Sequence, residues 1–138
     1  MKRYLVDTNI CVNLLRGKKS LYEMKRIMHD CFISELTVAE LKYGDEYGRL
    51  KGGANYKNQG LSDLLRLMKV LSINSAIDLY AKEKARLRHE GKPIGDDFDL
   101  LIGCTAVANN MVLITENVKD FERINGIKVE NWTQQQTK

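Results

Sequence analysis

The chain has 138 residues, of which 43% are hydrophobic and 29% charged, and carries a formal net charge of +4. That balance excludes a disordered or fibrous chain, and the length suits one domain with a real core rather than two. The mild basic excess, concentrated in residues 1–72, permits a polyanionic partner without requiring one.

In chain order, "RYLV" reads as a short strand and "TNICVNLLRG" as a helix capped by Thr8 and stopped at Gly17. "SLYEMKRIMH" opens with a capping box from Ser20 to Glu23, and "CFIS" reads as a second strand. "TVAELKYGDEYGRL" offers another capping box, Thr37 to Glu40, on a helix weakened by Gly44 and Gly48. The glycine-rich "KGGANYKNQG" is a loop, followed by the helical "LSDLLRLMK" and the strand-like "VLSI".

Ser75 starts a long amphipathic helix in which Ile77, Tyr80, Ala81, Lys84 and Leu87 share a face and Gly91 marks the stop. "KPIGDDF" is a turn-rich loop, "DLLIGCTAVANN" a buried helix, "MVLIT" a strand and "VKDFERI" a short helix. "IKVENW" is a terminal strand, and residues 133–138 form a polar tail. Short apolar strands alternating with helices predict an α/β fold of three layers, α/β/α, around a mainly parallel sheet of four to five strands.

Cys11, Cys31 and Cys104 lie far apart in apolar settings, which suits reduced core thiols rather than a disulfide or zinc framework. Asp7, Asn9 and Asn13 interrupt the first apolar stretch too early for a signal peptide, and no other run approaches the length of a membrane span. A soluble, cytoplasmic protein is expected.

In an open parallel sheet, chemistry collects beyond the carboxyl ends of the strands. Asp7 ends the first strand, Thr115, Glu116 and Asn117 follow "MVLI", Glu40 lies in an early turn of the helix after "CFIS", and Asp96, Asp97 and Asp99 precede or open "LLIGCTAVA". Carboxylates a few ångströms apart repel by about 4 kcal/mol per close pair at an effective dielectric near 20, so such a cluster protonates, disperses or holds a cation. An all-oxygen set suits Mg²⁺ or Mn²⁺. Each acid also has a purely structural use: Asp7 as a helix cap, Glu40 as the partner of Thr37, Asp96 or Asp97 as an ordinary N-cap.

Other chemistries lack their residues. His29 and His89 sit in polar helix-end contexts without zinc spacing, no serine lies in a G-x-S-x-G turn, and "GRLKGG" lacks the strand and hydroxyl of a phosphate-binding loop. Lys82, Lys84, Arg86, Arg88 and Lys92 could face a phosphate backbone, although Glu83 and Glu90 are interleaved among them. Tyr43, Tyr47 and Tyr56 suit packing better than base stacking. A phosphate-accepting signalling domain would place an acidic pair after the first strand and the acceptor after a later one, the opposite of the order here.

Four segments, "LVDTNI", "TVAELKYG", "GKPIGDDFDLLIGCTAVANNMVLIT" and "VKDFERINGIKVENW", occur in an order and at separations that resemble PIN-domain ribonucleases of the VapC toxin type. The resemblance covers nearly the whole chain and implies a single PIN domain over residues 1–132. It implies that Asp7, Glu40 and Asp99 form an acidic site, with Mg²⁺ or Mn²⁺ bound mainly through Asp7 and Asp99 and Glu40 orienting the attacking water. Thr8, Asn9 and Thr115 would orient these acids.

The family often carries a fourth acid two residues after the threonine of the fourth strand, where this chain has Asn117. Asn117, Asp120, Asp96 or Asp97 is therefore left to complete the site. The implied activity is endoribonuclease cleavage leaving 5′-phosphate and 3′-hydroxyl ends, with transfer RNA among the substrates. A VapB-type antitoxin and a homodimer are the implied partners. A catalytically weak PIN-like module that binds RNA or protein is the alternative.

Overall fold

The structure, a computed structural model, describes residues 2–17, 30–53 and 59–132. The Ser20 to Glu23 capping box, His29, Tyr56 and the polar tail lie outside the described residues, as do residues 54–58 of the glycine-rich loop, whose flanks are helix ends. Five strands alternate with helices: β1 (Tyr4–Val6), α1 (Thr8–Leu15), β2 (Cys31–Ser34), α2 (Glu35–Gly52), α3 (Gln59–Leu67) and β3 (Lys69–Leu71). A 3₁₀ turn at Asn74–Ala76 then leads into α4 (Ile77–His89), α5 (Asp97–Ala108), β4 (Val112–Ile114), α6 (Val118–Phe121) and β5 (Lys128–Glu130). The sheet order is β3-β2-β1-β4-β5, and every pairing is parallel.

Two apolar cores lie on opposite faces of this sheet because successive side chains along a strand alternate in direction. Val6, Ile33 and Ile114 pack with Ile10, Leu41, Leu61 and Leu64 from α1, α2 and α3. Leu5 and Leu113 pack instead with Leu87, Leu100, Ile102 and Phe121 from α4, α5 and α6. A strand covered on both faces needs apolar residues at consecutive positions, which is why "YLV" and "VLI" show no polar alternation. The three layers expected from the sequence are present, with a wholly parallel sheet.

Several local expectations are corrected. Asp7, not Thr8, caps α1: its carboxylate accepts the Thr8 backbone N–H at 2.8 Å, which leaves the Thr8 hydroxyl available elsewhere. The Thr37 to Glu40 capping box does not form, because α2 begins at Glu35 with Ser34 as its cap. Gly44 and Gly48 do not interrupt α2. Along α4 the side toward the core carries Leu79, Tyr80, Glu83 and Leu87, continuing from Ala76 of the 3₁₀ turn, while Ile77 is 47% exposed and Lys84 and Ala81 face water.

A buried charge concealed that α4 register. Glu83 accepts from Arg86 Nε and Nη2 at 2.8 and 2.9 Å and from the Asn125 backbone N–H at 2.7 Å. Arg86 also donates to the Arg123 carbonyl at 2.7 Å, and Arg123 to the Pro93 carbonyl at 2.9 Å. One ion pair thus joins α4 to the segment after α6, and Arg123 ties that segment to the loop before α5. Gly103 lets α5 sit close to that region: a Cβ there would collide with Ile124 Cδ1 and stand 3.0 Å from Phe121 Cδ1.

The Arg86 hydrogen bonds hold the Glu83 carboxyl below the ordinary glutamate range. A carboxyl lowered in the folded state adds stability above its unfolded value, and that stability is lost as pH falls through the folded value. Glu83→Gln is therefore expected to destabilise the protein at pH 7 by about 2 kcal/mol. Urea unfolding should show the gap to the parent narrowing below about pH 4; equal stability at pH 7 would contradict this role.

Candidate active site

Asp7 and Thr115 leave the sheet side by side because Val6 is in register with Ile114. The Asp7 N–H donates to the Ile114 carbonyl at 2.9 Å, and the Thr115 N–H to the Glu130 carbonyl at 3.0 Å, which extends the ladder to the rim. From β1 the sheet grows to β2 and β3 on one side and to β4 and β5 on the other. Connections diverging from adjacent strands open a crevice at their carboxyl ends, and Asp7 forms its floor.

Asp7 is 2% exposed and uses both carboxylate oxygens. One accepts the Thr8 N–H at 2.8 Å and the other the Thr115 hydroxyl at 2.7 Å. Burial raises its pKa; these hydrogen bonds oppose the rise, and the charges of Glu40 and Asp96 add to it. The Thr8 hydroxyl donates to Glu40 Oε1 at 2.7 Å and lies 3.0 Å from the Thr37 hydroxyl, so α1 and α2 are stitched together beside the Asp7 carboxylate.

Asp99 lies in the first turn of α5, within electrostatic reach of Asp7 and Glu40. Its pKa is pushed up to about 7, first by burial and then by the charges of Asp7, Asp96, Glu40 and Asp120. Asp96 caps α5 by accepting the Phe98 N–H at 2.8 Å. Asp97 is two residues from Asp99 on the same helix, about 200° around its axis, and points away to Tyr80 and Lys84. Of the residues left open to complete the site, Asp96 and Asp120 act electrically on Asp99, whereas the Asp97 carboxylate is paired with Lys84 and Tyr80.

Asn117 approaches through its backbone N–H, which donates to the Thr115 hydroxyl at 3.1 Å. Glu116 is drawn off by Asn13, whose Nδ2 donates to it at 2.9 Å. Asn9 touches the Thr115 hydroxyl and the Glu116 N–H, both at 3.4 Å, rather than a carboxylate. Asn13 and Thr37 are buried polar residues with partners at this rim that sequence reasoning missed. The four-residue spacing of Asn9 and Asn13, two amides on one face of an otherwise apolar helix, was the available signal for the first.

The donor set is carboxylate and hydroxyl oxygen, the chemistry a hard divalent cation takes. Among the described residues, no three His, Cys, Asp or Glu side chains close into a ligand shell as placed. Burial and mutual repulsion both favour protonation of Asp99, a penalty that a cation among these acids removes. The residues thus fit Mg²⁺ or Mn²⁺ in charge and donor type.

The PIN domain family model matches residues 4–127. Ribonuclease VapC2 of Rickettsia felis is 33% identical over 135 residues, covering 94% of this chain and 97% of its own. The tRNA(fMet)-specific endonuclease VapC of Shigella flexneri is 26% identical over 136 residues, covering 96% of this chain and 100% of its own. Among solved structures, VapBC2 from Rickettsia felis bound to a DNA fragment from its promoter aligns with a TM-score of 0.79 at 31% identity, over 94% of this chain and 98% of that one. A carboxylate-floored crevice in a parallel sheet, a family model spanning nearly the whole described fold and these full-length likenesses agree: the chain belongs to the PIN-domain family, among the VapC ribonucleases.

Proposed function

We propose that this protein is a metal-dependent endoribonuclease, the toxin of a type II toxin–antitoxin pair, that hydrolyses RNA to 5′-phosphate and 3′-hydroxyl ends. The observation that supports the reading is the burial of Asp7 at the carboxyl end of β1 beside β4, with Asp99 of α5 within electrostatic reach of Asp7 and Glu40, in a VapC-type chain. Residues 1–132 are taken as one PIN domain and residues 133–138 as its polar tail.

In this reading Asp7 and Asp99 hold Mg²⁺, with Mn²⁺ as a substitute and Glu40 at the edge of the set. The ion supplies charge neutralisation at the phosphodiester and a lowered pKa for water. Glu40 Oε1 is engaged by the Thr8 hydroxyl, so its other oxygen is available to orient a water and accept its proton. In-line attack of that water on phosphorus breaks the bond to the 3′ oxygen, which takes a proton from solvent. Asp120, on the short α6 next to the site, is assigned as the fourth carboxylate in place of Asn117, and Arg123, 3.7 Å from it, limits its swing.

Transfer RNA is the substrate class favoured by the Shigella relative, and a VapB-type antitoxin is the partner favoured by the Rickettsia complex. Two copies of the chain would form the working toxin. Among the described residues no helix is long and apolar enough to cross a membrane, and Cys11, Cys31 and Cys104 are buried free thiols, which suits the reducing cytoplasm.

Purified, antitoxin-free protein is expected to cleave total transfer RNA with Mg²⁺, to stop in EDTA and to leave 5′-phosphates, while Asp7→Asn loses at least about a hundredfold in rate. No cleavage by folded parent protein with either Mg²⁺ or Mn²⁺ would replace this reading with that of a PIN-like binding module.

The same site makes a stability prediction. A carboxyl raised in the folded state adds stability below its unfolded pKa, and that stability is lost as pH rises through the folded value. For Asp99 this window runs from the ordinary aspartate range to about 7. Metal-free Asp99→Asn should therefore unfold at a higher temperature than metal-free parent at pH 8 and gain less from added Mg²⁺. A lower midpoint at pH 8, with the Mg²⁺ gain intact, would contradict it.

A further inference from the structure

Next to the acidic crevice, α4 and α5 form a contact that the proposed chemistry does not use. Tyr80 and Lys84, one helical turn apart on α4, both donate to a single oxygen of Asp97: the phenol O–H at 2.9 Å and the ammonium at 2.8 Å. Lys84 also donates to the Tyr80 hydroxyl oxygen at 3.1 Å and lies 5.5 Å from the centre of its ring. The Lys84 and Asp97 side chains are 48% and 54% exposed, so water and solutes reach the pair.

Two donors converging on one anionic oxygen make a seat for any tetrahedral or planar oxyanion. The carboxylate that fills it belongs to the residue between Asp96 and Phe98, two positions before Asp99. The seat therefore lies on the opposite side of α5's first turn from Asp99, one helix width from the acids. As an internal ion pair it contributes little, because water and salt screen exposed charges. The acids Asp7, Asp96, Glu40 and Asp120, whose charges reach Asp99, repel a polyanion, so a strand approaching them needs cationic contact on its flank. Arg88, one turn beyond Lys84, continues the same helix face.

We propose that Tyr80 and Lys84 form a phosphate seat that grips the RNA backbone on the flank of α5, away from the scissile bond, and that Asp97 occupies it as a built-in competitor in the free protein. This rests on the nuclease reading for its substrate, and it concerns binding rather than bond cleavage. On arrival of the strand a phosphate oxygen takes the place of Asp97 Oδ1, and the freed carboxylate turns to solvent. Asp97 thus lowers affinity for loosely held polyanions, and RNA must displace it.

Opposite signs for the two partners of one ion pair are the signature. If the pair only braced α4 against α5, Lys84→Ala and Asp97→Asn would weaken the protein and its activity alike. A phosphate seat requires Lys84→Ala to weaken RNA binding by roughly three- to tenfold and to reduce the salt slope by about 0.7 to 0.9 per lost contact. Lys84→Arg should restore most of the loss, and Asp97→Asn should tighten binding.

Binding is read by anisotropy of fluorescein-labelled bulk transfer RNA in the Glu40→Gln background with Mg²⁺, across a salt series. KM and kcat of cleavage are measured with Glu40 intact, where Lys84→Ala should raise KM far more than it lowers kcat. Unchanged affinity and salt slope in Lys84→Ala, or weaker binding in folded Asp97→Asn, would overturn the seat even if the parent cleaves RNA. Failure of the parent to cleave, with the opposite-sign binding effects present, would sink the nuclease reading and leave the seat standing. Absence of both would overturn both.

Discussion

Everything at this crevice depends on holding a carboxylate, Asp7, where water scarcely reaches it. A buried, charged aspartate is tolerated only if hydrogen-bond donors and a counter-charge replace its hydration. Two donors are fixed by the fold itself: the first free N–H of α1, and the hydroxyl of a threonine at the end of the neighbouring strand. Their placement follows from the register of β1 against β4, so a one-residue slip between these strands would remove the Thr115 bond and turn the apolar faces over together. Core packing and site geometry are thus specified by the same pairing.

The remaining acids arrive from separate layers. Glu40 comes from the helices on one face of the sheet and Asp99 from those on the other, and the charge of Glu40 reaches Asp99. Threonine hydroxyls tie the first group together: Thr115 to Asp7, and Thr8 to Glu40 and Thr37. Uncharged donors suit this task because they orient a carboxylate without neutralising it. Arginine or lysine in these positions would compete with a cation for the same oxygens. Of the basic residues near the site, Lys84 is engaged on Asp97, and Arg123 donates to the Pro93 carbonyl and stands 3.7 Å from Asp120 without reaching Asp7, Glu40 or Asp99.

Much of this was readable from residue order. Consecutive apolar residues in "YLV" and "VLI" marked doubly covered strands, and acids just after such strands or early in the next helix had to lie at one end of a parallel sheet. Local rules failed where tertiary contacts outbid them. Thr8 and Thr37 have the sequence signatures of caps, but each hydroxyl is drawn across the α1–α2 contact, leaving Asp7 and Ser34 to cap. Glu83 looked solvated and is buried, since only the folded chain brings the Asn125 N–H to it beside Arg86. The separation of Asp97 from Asp96 and Asp99 could not be read either, because it depends on where α5 starts and hence on the rotation of its first turn.

An ion position connects these observations most directly. Crystals of the protein grown without metal, then soaked in Mn²⁺, should show an anomalous peak between Asp7 and Asp99 at roughly 2.1 Å from a carboxylate oxygen of each. Glu40 should lie at the edge of that coordination, with its Thr8 hydrogen bond kept. A peak absent from this crevice, or present only at exposed acids elsewhere on the surface, would contradict the assignment of the cluster as a metal site.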